Sequence, residues 1–202
     1  MDTKDRIALA LDVDSVEKAK ALVAELKDYV GVYKVGKELF TSCGPDIVKT
    51  IVDNGGKVFL DLKYHDIPNT VAKACKAAAK LGVYMLNIHA SGGSEMMKAA
   101  REAIDGCEHK PLLIAVTVLT SIDEQALNEE LKVNGTVEEQ VVHLAKLAKD
   151  CGCDGVVCSP KEVTGIKEAC GDDFVLVTPG IRPVWAAKAD QKRITTPKDA
   201  VE

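Results

Sequence analysis

Residues 7–26 read Ile-Ala-Leu-Ala-Leu-Asp-Val-Asp-Ser-Val-Glu-Lys-Ala-Lys-Ala-Leu-Val-Ala-Glu-Leu, and this stretch decides the fold. Residues 7–13 form a short, nearly all-apolar run, the pattern of a parallel strand covered on both faces. Ser15 can then cap a helix whose apolar face is Val16, Ala19, Leu22 or Val23, and Leu26. The same beat returns along the chain. A run at 32–36 precedes a helix near 45–53 that stops at Gly55-Gly56, and a run at 58–63 precedes a helix near 69–81 that stops at Gly82. Residues 85–89 precede a helix near 94–104, and residues 112–119 precede a longer connection. That connection holds a helix opened by Thr136 with Glu139 three residues later, a capping-box spacing, and ended at Gly152. Residues 155–158 lead into Ser159-Pro160-Lys161-Glu162, an N-cap, a proline at N1 and a carboxylate at N3. Residues 174–178 form the seventh strand.

Seven strand–helix beats with no composition break and no linker predict one domain over residues 1–202. An open doubly wound sheet would advertise a glycine-rich phosphate loop after strand 1, and Asp12-Val13-Asp14-Ser15 is not one. An α/β fold of the (β/α)8 (TIM) barrel type fits better, with its chemistry at the C-terminal ends of the strands. Seven strands are legible rather than eight, so the barrel is expected to be truncated after strand 7. Thr196-Pro197-Lys198-Asp199 reads as the start of a further outer helix. The sequence is therefore expected to be a piece of a chain about 25 to 35 residues longer, judged from one helix remainder plus one strand–helix unit. Alone, the piece is expected to be poorly soluble or nearly inactive.

Composition narrows the function. Of the 202 residues, 47% are hydrophobic and 28% charged, which argues against disorder, collagen and coiled coil. A net charge of −5 argues against a nucleic-acid partner, and 4% aromatics weaken any base-stacking reading. No apolar run approaches the roughly 18 residues that a membrane span needs. Met1-Asp2-Thr3-Lys4-Asp5-Arg6 has no apolar run behind it, so no secretory leader is expected. Seven scattered cysteines fit reduced cytoplasmic thiols better than a disulfide framework. A cytoplasmic protein acting on a small molecule is the reading that survives.

Several strands end in a charge. Asp12 ends strand 1, Lys34 sits in strand 2, and Asp61 and Lys63 end strand 3. Two residues apart on a strand, Asp61 and Lys63 face the same side, about 7 Å apart along the chain. Burying a lone charge costs several kcal/mol, so an acid and a base on one buried face compensate each other. One such pair could be a merely tolerated ion pair. Four charges of alternating sign on three consecutive strand ends point instead to a site.

The run Asp61-Leu62-Lys63-Tyr64-His65-Asp66-Ile67-Pro68-Asn69-Thr70 resembles the signature of the orotidine 5′-monophosphate decarboxylase family. The resemblance extends to Leu11-Asp12, Tyr33-Lys34-Val35-Gly36, Val118-Leu119-Thr120-Ser121, Thr178-Pro179-Gly180-Ile181-Arg182-Pro183 and Asp190-Gln191-Lys192-Arg193, in that order. It implies decarboxylation of orotidine 5′-monophosphate to UMP in pyrimidine biosynthesis, with no metal and no organic cofactor. That reaction creates a carbanion-like centre without a conjugated sink, so catalysis must come from placed charges and from binding energy drawn from the rest of the substrate. By position, the resemblance makes Lys63 the ammonium and proton donor beside C6 and puts Asp61 near the departing carboxylate. Lys34 and Asp66 complete an alternating array. It also implies a homodimer in which Asp66 and Thr70 reach the neighbouring subunit's site. Asp12 would bind ribose hydroxyls, Thr120 the pyrimidine edge, and Arg182 with Gln191 the 5′-phosphate.

Other residues carry weaker signals. His89 has no acid or cysteine at metal spacing and reads as structural. Cys151-Gly152-Cys153 lacks a second pair to complete a metal site. Trp185 departs from the small residues that the resemblance leads one to expect in its loop, and the orientation of His65 is open. A metal-dependent relative on the same barrel, such as 3-keto-L-gulonate 6-phosphate decarboxylase, shares the Asp-x-Lys-x-x-Asp core but has a carboxylate on strand 2, where Lys34 stands. A catalytically impaired nucleotide-binding fragment is the other alternative.

Overall fold

The computed structural model describes residues 3–185 and 195–200. Strand and helix alternate as β1 Ala8–Ala10, α1 Val16–Leu26, β2 Val32–Gly36, α2 Lys37–Cys43, α3 Asp46–Asp53, β3 Lys57–Tyr64, α4 Pro68–Ala79 and β4 Met85–His89. There follow α5 Gly93–Asp105, β5 Leu112–Val116, α6 Val137–Asp150, β6 Gly155–Val157, α7 Val163–Cys170 and β7 Val175–Val177. The chain divides into two compact units, one of residues 1–88 with 98–113, the other of residues 89–97 with 114–202.

In the first unit each strand pairs in parallel with the next. Ala8 lies opposite Val32, Val32 opposite Lys57, and Phe59 opposite Met85. The strands are apolar because both faces are covered: Val35, Val58, Leu60, Leu86 and Ile88 have no exposed surface. The helices supply Ala19, Ile47, Val48, Ile51, Val71 and Cys75 to the same interior. Each large aliphatic side chain so buried contributes about 1.5–3 kcal/mol. Ser15 caps α1 as its position predicts, its hydroxyl accepting the Lys18 N–H at 3.3 Å.

Two details depart from the sequence reading. The first strand is shorter than 7–13, although the Leu11 N–H still bonds the Lys34 carbonyl at 3.0 Å before the chain turns away. The second is α2, a helix that the apolar pattern did not signal because Leu39 is its one buried residue. It ends where Gly44 takes a φ of +69° and its N–H bonds the Phe40 carbonyl. Pro45 then opens α3, the helix expected near 45–53.

In the second unit, Ile114–Val116 of β5 pairs in parallel with β6, and β6 with β7. The predicted capping box forms, and so does the predicted Ser159 cap with its carboxylate at N3. Thr136 exchanges bonds with Glu139 at the start of α6, and the Ser159 N–H donates to the nearly buried Glu162 carboxylate at 2.7 Å. Past Val116 the expected continuation to residue 119 is irregular, with the Thr117 hydroxyl donating to the Val157 carbonyl at 2.9 Å. Thr196 and Asp199 make the predicted cap bonds, on residues 197–200 that adopt turns. Among the described residues no helix is long and apolar enough to cross a membrane.

The β6–β7 contact is close enough to exclude any side chain at Gly155, where an added Cβ would lie 2.0 Å from the Val175 carbonyl oxygen. The clash is with backbone, so relief requires the strands to part. Gly155→Ala is expected to cost about 2–3 kcal/mol, the scale of a forced overpacking, read as a lower urea midpoint. An unchanged midpoint would show that the strand pair yields freely.

Candidate active site

β2 and β3 run side by side with Gly36 opposite Asp61, and three of the predicted charges meet there. Asp61 is 8% exposed. Its Oδ1 accepts from Lys63 Nζ at 2.5 Å and from Asn87 Nδ2 at 2.7 Å, and its Oδ2 lies 3.5 Å from Lys34 Nζ. Lys34 Nζ also stands 3.7 Å from Asp12 Oδ1, extending the cluster to the end of β1. Gly36 keeps the space beside Lys34 clear, since a Cβ there would come within 3.3 Å of Nζ. Burial by itself pushes the Asp61 carboxyl up. The Lys63 charge, the bonds from Lys63 and Asn87 and the Lys34 charge outweigh that and hold it below the usual carboxylate range. Asp61 is therefore an anion at neutral pH, gripped on both oxygens. The cluster opens outward, because the Asp12 side chain is largely exposed and the two lysine side chains are partly so.

Strand periodicity predicts that Asp61 and Lys63 share a face, and the side chains do meet, by a less regular route. The β3–β4 register shifts between Leu60 and Tyr64, and Lys63 takes a φ of +53°. A bulge of this kind re-aims a side chain at the end of a strand. The Lys63 N–H donates to Asn87 Oδ1 at 2.8 Å. Asn87 is the residue that the sequence reading missed. Its signal was present as one amide inside the otherwise apolar Met85-Leu86-Asn87-Ile88, wholly buried.

The remaining candidates lie elsewhere. Asp66 is exposed just before α4, its carboxylate accepting the Ile67 N–H at 2.7 Å, and it joins none of the described ion pairs. Thr70, in the first turn of α4, is also exposed. Thr120 follows β5 in a turn, in the second unit. Arg182 is held by a parallel bridge between Ile181 and Thr195, its N–H donating to the Thr195 carbonyl at 2.9 Å. Gln191, with Asp190, Lys192 and Arg193, lies outside the described residues. Trp185 is 88% exposed. Cys151 and Cys153 are buried at the end of α6, and among the described residues no three His, Cys, Asp or Glu side chains gather as metal ligands would.

Parallel strands alternating with helices, with a coupled charge cluster at neighbouring strand ends, fit the α/β-barrel class of enzyme. The sequence model of the orotidine 5′-phosphate decarboxylase / HUMPS family matches residues 5–202, and the chain belongs to that family. It is 52% identical over 208 residues to the orotidine 5′-phosphate decarboxylase of Syntrophomonas wolfei, covering 100% of this chain and 87% of that protein. With the enzyme of the same name from Saccharophagus degradans it shares 55% identity over 197 residues, 98% of this chain and 82% of the other. The crystal structure of orotidine 5′-phosphate decarboxylase from Lactobacillus acidophilus superposes with a TM-score of 0.83 at 44% identity, over 96% of this chain and 84% of that one. The fold is the (β/α)8-barrel class, of which the described residues carry seven strands.

The depressed Asp61 titration has a measurable sign. A carboxyl whose folded pKa lies below its unfolded value contributes stability that is present above the unfolded value and lost as pH falls through the folded one. Asp61→Asn leaves two ammoniums facing each other and is expected to cost about 3 kcal/mol at pH 7, as for a broken buried pair. The gap between parent and variant should hold down to about pH 5 and shrink below about pH 4, where the unfolded carboxyl begins to protonate. A gap in urea stability that is flat across that acid range would contradict the Lys–Asp–Lys arrangement.

Proposed function

We infer that this protein is an orotidine 5′-phosphate decarboxylase, removing CO2 from C6 of orotidine 5′-monophosphate to give UMP. The observation that carries the reading is one carboxylate fixed between two ammoniums, Lys63 at 2.5 Å and Lys34 at 3.5 Å, at adjoining strand ends. Breaking the C6–carboxylate bond leaves an electron pair on C6 that the ring cannot delocalise. The Lys63 ammonium supplies positive charge where that pair develops and transfers one N–H proton to C6. CO2 departs, and neutral Lys63 recovers its proton from solvent. Asp61, kept anionic by its neighbours, fixes the Lys63 Nζ and sets a negative charge near the substrate carboxylate. Because these charges are placed before substrate arrives, little reorganisation is needed during the reaction.

Substrate binding follows the family's arrangement. Asp12 takes the ribose hydroxyls with Lys34 beside it, Thr120 the pyrimidine edge, and Arg182 with Gln191 the 5′-phosphate, for which a planar guanidinium suits bidentate hydrogen bonding. Lys34 also argues against the metal-dependent relative, since an ammonium 3.5 Å from Asp61 repels a divalent cation. Asp66 and Thr70, exposed beside the apolar Ile67, act across a homodimer interface. Seven scattered cysteines, which form no paired framework in the sequence, support a cytoplasmic setting.

Three measurements test this reading. Lys63→Ala should abolish the loss of orotidine monophosphate absorbance while UMP binding stays detectable, because a positioned acid contributes about 10² to 10⁴ in rate. Activity of the parent should be indifferent to EDTA; a kcat for Lys63→Ala within about tenfold of parent would falsify the assigned role. Mixing Lys63→Ala with Asp66→Ala and allowing subunits to exchange should restore roughly a quarter of parent activity, since half the dimers are hybrids with one intact site each. Mixtures as inactive as their components would place Asp66 in its own chain's chemistry.

A further inference from the structure

Asn87 sits in the middle of β4 with no exposed surface, yet its amide touches two parts of the charge cluster. Nδ2 donates to Asp61 Oδ1 at 2.7 Å, and Oδ1 accepts the Lys63 N–H at 2.8 Å. Chemistry fixes this orientation: a carboxylate only accepts and a peptide N–H only donates, so a flipped amide makes neither bond. The Lys63 side chain returns to the same Asp61 oxygen. Three hydrogen bonds thus close a ring through Asp61, Lys63 and Asn87, and the ring contains the point where β3 turns left-handed at a lysine. An L-residue with a side chain does not hold that backbone unaided; surrounding bonds must determine it.

We propose that Asn87 is a positioning residue that clamps the Lys63 backbone in its bulge and fixes Asp61 Oδ1, so that ammonium and carboxylate meet the reacting carbon in one arrangement. The proposal rests on the decarboxylase reading above, because Asn87 acts through Lys63 and Asp61. Being wholly buried, it has no surface with which to touch substrate. An apolar residue in its place would leave the Lys63 N–H and one lobe of Asp61 unsatisfied inside the protein.

The test compares the parent protein, Lys63→Ala, Asn87→Ala and Asn87→Asp in one decarboxylation assay, with UMP affinity and stoichiometry from calorimetry. Asn87→Ala is expected to lose about a hundredfold in kcat, the effect of a misplacement near 1 Å, with UMP binding within about threefold of parent. A purely structural role would instead lower the number of UMP sites and leave kcat per site unchanged, and that result overturns the proposal. Asn87→Asp adds a pH signature. Protonated, the introduced carboxyl donates to Asp61 Oδ1 and accepts from the Lys63 N–H, reproducing both bonds. Ionised, it sets a second anion against Asp61, facing Lys63 on β3 with Lys34 of β2 behind. Its kcat relative to parent should therefore rise as pH is lowered through that titration, and this readout stands even when Asn87→Ala fails to fold. A flat ratio, or an Asn87→Ala enzyme within about threefold of parent kcat, overturns the assignment. A parent with no turnover removes the reaction and this proposal together, whereas an active parent with indifferent Asn87 variants removes this proposal alone.

Discussion

A carboxylate taken out of water must find donors or give up its charge. Asp61 finds Lys63, Asn87 and Lys34, contributed by β3, β4 and β2, and so ties three adjacent strands to one anion. Coulombic attraction and hydrogen bonding exceed the desolvation of the acid, which is why its titration moves down although it is buried. Remove the anion, and Lys34 and Lys63 become like charges, with Asp12, on an exposed side chain, the remaining carboxylate paired with Lys34 among the described residues. The site's electrostatics and the side chain that holds the Lys63 backbone thus meet at the same carboxylate.

Covered apolar strands hold the scaffold, and their ends hold the chemistry. On β3 the fully buried Leu60 immediately precedes Asp61, and on β2 Lys34 stands between the buried Tyr33 and Val35 and reaches Asp61 with its Nζ. This placement limits the cost of charge burial, because the lysine side chains keep more of their surface in contact with solvent than the carboxylate between them.

How much of this was legible depended on whether local chemistry or tertiary context decided each element. Both capping boxes, at Thr136 and at Ser159, follow from side chains reaching their own backbone three residues away, and they form as the spacing predicts. The strands were legible because residues such as Val58, Leu60 and Leu86 are apolar on both faces. α2 was not, since a helix that buries one leucine has no periodic face. Lys34, Asp61 and Lys63 were found as charges out of place in strands. The bulge at Lys63 was invisible because no glycine or proline marks it; its conformation is imposed by Asn87 from the next strand. Asn87 itself carries no charge, and a lone amide in an apolar run reads as unremarkable until its two partners are seen.

The parallel pairing of β1, β2, β3 and β4 in simple chain order carries a consequence for how the protein is made. Each strand meets the next one in the chain across one crossover connection, so no pairing in this unit waits for distant sequence. Asp12, Lys34, Asp61, Lys63 and Asn87 all fall within the first 88 residues, which belong to one compact unit. A ribosome has therefore delivered every member of the charge cluster before half of the sequence has emerged. The least favourable desolvation in the molecule can be settled during synthesis, inside a nascent unit whose neutralising partners are already present.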